Sequence, residues 1–146
     1  MADVVTDWRD YLIAQLELAR EAGTFDEKTL IAAGRRAGVS RERDRINVFA
    51  GEWTRGDVTE IARPTLLVRY WKRRSKQLAG EETADPTELH AAQGAMLVEL
   101  RAHQKLSGLE RPWFYIVEAS RIDEDPEEWG IEFLLQGFTA NVAVIP

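Results

Sequence analysis

Residues 131–136 read Ile-Glu-Phe-Leu-Leu-Gln, and this alternation decides the fold class. In an extended chain Ile131, Phe133 and Leu135 fall on one side, which is therefore fully apolar. The residues between them include Glu132 and make the other side mixed. A strand with one apolar face is typical of an antiparallel sheet that helices cover on one side. The segment predicts an α+β domain.

Three other segments have the composition of strands. Ile46, Val48 and Phe49 form a short apolar run. Pro64 leads into Thr-Leu-Leu-Val-Arg-Tyr-Trp, where β-branched and aromatic residues favour a strand and a proline is tolerated at the start. Residues 113–120 form a predicted hairpin with the strand quoted above, across a charged, turn-rich loop. We therefore expect an antiparallel sheet of about four strands with helices packed on one face.

Three helices are predicted around this sheet. The first ends at Gly23 and has an apolar stripe at spacings of three and four, formed by Val5, Trp8, Leu12 and Leu16. A second, shorter helix is expected from Thr24, because Glu27 completes a capping box and Leu30, Ile31 and Ala33 follow. The third begins at Asp85-Pro86-Thr87-Glu88, which combines an N-cap acid, a proline at the first helical position and a later glutamate. It is expected to end near Gly108.

Composition indicates one folded domain over residues 1–146. The chain is 45% hydrophobic, too apolar for a disordered protein despite 30% charged residues. Without cysteine it has no disulfide or thiolate metal site. Its start differs from a secretory signal, and no apolar run reaches the roughly 18 residues that span a bilayer. We expect a soluble, cytoplasmic protein without a membrane partner.

No catalytic motif stands out in the sequence. His90 and His103 lie 13 residues apart on one predicted helix, a spacing unlike that of paired metal ligands. No serine lies in a nucleophile elbow, and no glycine-rich loop is present to hold phosphate. We therefore expect a non-enzymatic protein with no catalytic residues, no cofactor and no metal site.

Charge is distributed unevenly. Residues 1–76 contain 15 Lys and Arg against 12 Asp and Glu, whereas residues 77–146 contain four against 13. The basic segment comprises Arg69, Lys72, Arg73, Arg74 and Lys76, with Tyr70 and Trp71 among them. The acidic segment comprises Asp123, Glu124, Asp125, Glu127 and Glu128, without the residue order of an EF-hand loop.

Each charged segment has more than one interpretation. Both are compatible with plain solvated turns. Cations interleaved with Tyr70 and Trp71 are also typical of single-stranded nucleic-acid binding, although the pI near 5.0 argues against it. Peptide binding by the same segment is a further alternative. Unlike patches on one surface suit a head-to-tail contact between copies, which gives a ring when the rotation closes.

The order of elements resembles that of the small tail-terminator (tail-completion) proteins of long-tailed bacteriophages. The likeness rests on the opening helix around Trp8 and Leu12, the strand after Pro64, the helix after Asp85-Pro86 and the closing hairpin. It covers nearly the whole chain, is architectural and involves no fixed motif.

This resemblance implies a virion component of the tail or neck, made in the host cytoplasm. Family members form a hexameric ring that ends growth of the tail tube and joins the tube protein to the head-completion proteins, with DNA passing through. The family has no catalytic residues to carry over. The resemblance thus implies self-association, in which the two charged segments are the candidate subunit or neck interface.

Overall fold

The computed structural model describes residues 4–34, 43–51, 54–55, 62–63, 65–75, 79–80, 85–104, 114–122 and 127–137. Within these ranges the elements are α1 (Val4–Glu21), β1 (Leu30–Ala33), β2 (Arg45–Ala50), β3 (Thr54–Arg55), β4 (Ala62–Arg63), β5 (Thr65–Arg73), α2 (Thr87–Ala102), β6 (Phe114–Ile122) and β7 (Glu128–Gly137).

The main sheet has five strands in the order β1-β2-β5-β7-β6. β1 runs parallel to β2, and the remaining pairs are antiparallel. β3 and β4 form a separate two-stranded ladder. The predicted α+β class is confirmed, with five strands in the main sheet where about four were expected.

The additional strand is β1, where the sequence predicted a second helix. That prediction was wrong because local and long-range hydrogen bonds both favour an extended chain. The Asp26 carboxylate accepts the Lys28 backbone N–H at 2.8 Å, forming a local turn in place of the expected capping box. Leu30 then donates its backbone N–H to Asp44 at 2.9 Å, and Ile31 pairs with Ile46. Tertiary pairing thus overrides the helical pattern.

One face of the sheet forms the core with both helices. Register places the following side chains on this face: Ile46, Val48, Leu66, Val68, Tyr70, Ile131, Phe133 and Leu135. α1 packs over β1, β2 and β5, and α2 packs over β7. Trp8 of α1 is fully buried, with its ring centroid 6.0 Å from that of Phe114 on β6. Burial of each such side chain contributes about 1.5–3 kcal/mol. This apolar layer therefore holds the two helices against one face of the sheet.

The helix ends agree in part with the sequence. Gly23, at φ +91°, follows α1 as expected, and Thr24 donates its backbone N–H to Ala19 at 3.0 Å. Before α2, the Asp85 carboxylate accepts the Thr87 backbone N–H at 3.1 Å. α2 ends at Ala102, earlier than predicted, and Gly108 lies outside the described residues. No described helix is long and apolar enough to cross a membrane.

Candidate functional site

The charged candidate residues that the structure describes gather at one end of the main sheet. β1 and β2 begin there, β5 and β6 end there, and β7 begins there. One row of paired residues crosses the sheet at this end: Leu30, Arg45, Trp71, Gly130 and Ile122. We call this region the charged end.

Most cations of the basic segment have partners within the subunit. Arg69 Nε lies 2.6 Å from Glu132 Oε2, and Lys72 Nζ lies 2.8 Å from Asp44 Oδ2. The guanidinium of Arg74 is buried and stacks 3.9 Å from the ring centroid of Trp129. Arg74, a member of the predicted subunit or neck interface, is thus covered by the Trp129 ring within the single subunit.

The two aromatic side chains of the basic segment are buried. Tyr70 is 3% exposed and Trp71 is 1% exposed. Tyr70 belongs to the core under the helices, where burial and, next, the Asp44 carboxylate raise the pKa of its hydroxyl. Trp71 lies on the opposite face, 5.5 Å from the Arg45 guanidinium. Both rings are buried in the single subunit, so the structure gives no support to the predicted stacking of either ring on a nucleic-acid base.

Glu128 lies inside the protein and does not belong to a solvated turn. Its carboxylate is 1% exposed, and both of its oxygens lie 2.7 Å from one terminal nitrogen of Arg45. The Arg45 side chain is itself only 2% exposed. A buried ion pair forms because β7 pairs with β5 and β5 with β2, which brings residues 83 positions apart together. Glu128, predicted as an interface carboxylate, is therefore buried and paired within the single subunit.

The basic and acidic segments are neighbours in one subunit. Arg73 is the register partner of Glu128, and Arg74 donates its backbone N–H to Glu127 at 3.0 Å. The β5 and β7 ladder therefore places the described ends of the two charged segments side by side within one subunit. Lys76, Asp123, Glu124 and Asp125 lie outside the described residues.

A cleft of about 450 Å³ opens beside the start of β1, at the same charged end. Its lining residues come from the end of α1, the loop before β1 and the residue before Asp44: Arg20, Glu27, Lys28, Thr29, Leu30 and Arg43. We call it the β1 cleft. Sequence reasoning missed it, because its cations come from separate segments that only the parallel pairing of β1 with β2 brings together. The arginine-rich stretch of residues 35–45 was the available signal.

The two histidines, and Glu88 with its lowered carboxyl pKa, are not arranged as a catalytic site among the described residues. His90 is exposed on α2, and His103 Nε2 lies 2.8 Å from Glu99 Oε1 one turn earlier. Hydrogen bonds from Ser75 lower the pKa of the Glu88 carboxyl, with a further one from the Trp129 indole. Among the described residues, no group of three or more His, Asp and Glu side chains could hold a metal ion.

The outer strands leave both edges of the main sheet open within the described part of the chain. β1 is one edge and β6 the other. β6 exposes two large apolar side chains, Tyr115 at 43% and Val117 at 54%, and its ladder is interrupted by a bulge between Ile116 and Glu118. Exposed apolar residues on an edge strand are candidates for contact with another chain.

No protein-family model matches this sequence, and no curated protein matches it. Function is therefore inferred from the residues and their contacts.

Proposed function

We propose that this chain is a non-enzymatic structural protein of a phage tail or neck, which assembles into a ring, caps the tail tube and joins it to head-completion proteins. The observation that carries the proposal is the pair of edges that the described strands leave open on the main sheet, of which β6 exposes Tyr115 and Val117. The architectural resemblance to tail terminators supplies the biological setting.

Two different edges support a head-to-tail contact. β1 is a short parallel strand beside a polar cleft, whereas β6 is a nine-residue antiparallel strand with exposed apolar side chains. A contact that joins unlike surfaces propagates from copy to copy and closes into a ring when the rotation allows. A ring of this kind uses both edges of each subunit.

The alternative, nucleic-acid or peptide binding by the segment around Tyr70 and Trp71, loses its support. Its stacking rings are buried, and the side chains of Arg69 and Lys72 are paired with carboxylates. Binding through stacking and phosphate contacts needs both groups at the surface.

Native mass spectrometry and negative-stain imaging test the proposal directly. We expect closed rings of the wild-type protein, and rings bound at the ends of purified tail tubes. Val117→Lys places a charge on the exposed part of β6 and is expected to raise the concentration for half-assembly at least about tenfold, because a desolvated unpaired charge costs at least about 1.4 kcal/mol.

Val98→Lys is the matched control, because Val98 is also an exposed valine, at 68%, but belongs to α2 and not to an edge strand. It is expected to assemble like the wild type. A protein that stays monomeric at all concentrations and never binds tail tubes contradicts the proposed function.

A further inference from the structure

The β1 cleft contains three cations against a single carboxylate among its described lining residues. Arg20, Lys28 and Arg43 line it together with Glu27. The cations come from three separate segments: the end of α1, the loop before β1 and the chain just before β2. Three positive charges and one negative charge leave an excess of two positive charges, which favours an anionic ligand.

Arg20 is fixed in position and keeps donors for a ligand. It is half-buried, and its Nη1 donates to the Thr29 carbonyl at 2.9 Å, which holds the guanidinium at the cleft wall. A guanidinium has five N–H donors, so this hydrogen bond uses only part of them. Lys28 and Arg43 are exposed, and within the described part of the chain none of the three cations forms an ion pair.

Two further carboxylates in the adjoining chain have other partners. Asp44, which follows Arg43, lies 2.8 Å from the Nζ of Lys72. The Asp26 carboxylate accepts the Lys28 backbone N–H at 2.8 Å, which closes a local turn. Neither carboxylate pairs with the side chain of a cleft cation, so the positive charge of the lining is left for a ligand.

Thr29 adds an unused hydrogen-bonding group to the lining. Its side chain is 1% exposed, and its hydroxyl has no hydrogen-bond partner among the described residues. A buried polar group without a partner is unfavourable, and most buried polar groups in proteins have one. Serine and threonine hydroxyls join arginine and lysine in contacts to phosphate oxygens. An oxyanion in the cleft therefore supplies the missing acceptor.

We propose that the β1 cleft binds the phosphate monoester group of a small ligand. Such a group has a charge of about −1.5 to −2 near pH 7 and three acceptor oxygens, which matches the excess charge and the three cations of the lining. A carboxylate has one charge and two oxygens, and a phosphodiester has one charge. The volume of about 450 Å³ is typical of small-molecule sites. This inference does not rest on ring assembly.

Titration with methyl phosphate, followed by ¹H–¹⁵N NMR at low salt, tests the site. We expect saturable shifts of the backbone amide signals of Lys28, Thr29 and Leu30. Dimethyl phosphate is the matched control ligand, and its dissociation constant is expected to be at least about tenfold higher, because it lacks one charge and one terminal oxygen.

Substitution of the exposed cations locates the binding. Arg43→Gln is expected to raise the dissociation constant of methyl phosphate at least about threefold, a modest effect because the side chain is exposed. Adding Lys28→Gln is expected to bring the increase to at least about tenfold. Arg101→Gln is the matched control, since it removes the same charge from an exposed arginine on α2, and it is expected to bind like the wild type. Unchanged circular dichroism shows that the variants fold.

Three results overturn the inference. One is the absence of saturable shifts with methyl phosphate. Another is equal affinity of Arg43→Gln and Arg101→Gln, which places the binding outside the cleft. The third is dimethyl phosphate binding as tightly as methyl phosphate, together with salt-sensitive binding of a single-stranded oligonucleotide that Arg43→Gln weakens, which makes the cleft a nucleic-acid site.

Discussion

The cations of β5 and those of the β1 cleft lie at the same end of the sheet and have opposite environments. On β5, Arg69 pairs with Glu132 and Lys72 pairs with Asp44, and Arg74 directly after the strand stacks on Trp129. Those of the cleft have no carboxylate partner in the described residues, and two of the three are exposed. Three described cations of the densest basic run, Arg69, Lys72 and Arg74, therefore have partners inside the subunit, whereas the scattered cations of the cleft lie on a surface available to a partner.

The largest effect is expected from breaking the buried ion pair between Arg45 and Glu128. Glu128→Ala leaves Arg45 as an unpaired charge in the interior, and we expect a loss of about 3–5 kcal/mol in the free energy of unfolding. Urea denaturation measures it. Glu127→Ala is the matched control, because Glu127 is exposed, and its effect is expected within about 0.5 kcal/mol. Equal effects of the two variants contradict the buried pair.

A smaller effect separates a half-buried pair from an unpaired cation. Arg69→Ala is expected to lower the free energy of unfolding by up to about 1 kcal/mol, because its pair with Glu132 is partly solvated. Arg43→Ala is expected to change it by less than about 0.5 kcal/mol, since the side chain is exposed at the cleft. The same urea titrations compare them. If Arg43→Ala lowers the free energy of unfolding more than Arg69→Ala does, the distinction between paired and cleft cations is contradicted.

The smallest effect concerns the dependence of stability on pH at Glu88. Its folded-state pKa is lowered by hydrogen bonds from Ser75 and the Trp129 indole, so the folded protein favours the ionised carboxylate. That stabilisation is present above the unfolded pKa of glutamate and is lost as the pH falls through the lowered folded value. Glu88→Gln should therefore reduce the loss of stability between neutral and acidic pH in thermal melts. An identical pH profile contradicts the hydrogen-bond assignment.

Local patterns were sufficient for most of the fold. The apolar stripe containing Trp8 and Leu12 predicted α1, Asp85-Pro86 predicted the start of α2, and the alternation from Ile131 predicted β7. These signals succeed because periodicity records which side of an element is buried. β1 was missed because four residues with a helical pattern are held extended by pairing to β2. Nothing within the segment itself encodes that partner.

The candidate site was harder to predict, because the partner that neutralises a charged side chain can be far away in the sequence. Arg45 and Glu128 are 83 positions apart, and Arg69 and Glu132 are 63 apart. Sequence reasoning therefore treated buried and exposed charges alike. Trp71 shows the same limit, since interleaved cations suggested an accessible ring and strand pairing buried it.

Native mass spectrometry of the wild type, Val117→Lys and Val98→Lys at one protein concentration tests ring formation through the β6 edge most directly. Val117 is 54% exposed on β6, and Val98 is 68% exposed on α2. Just above the concentration at which the wild type assembles, we expect closed rings of the wild type and of Val98→Lys and monomers of Val117→Lys, because an unpaired charge at the contact is costly to desolvate. Monomers of all three proteins, or rings of Val117→Lys as abundant as those of the wild type, contradict assembly through this edge.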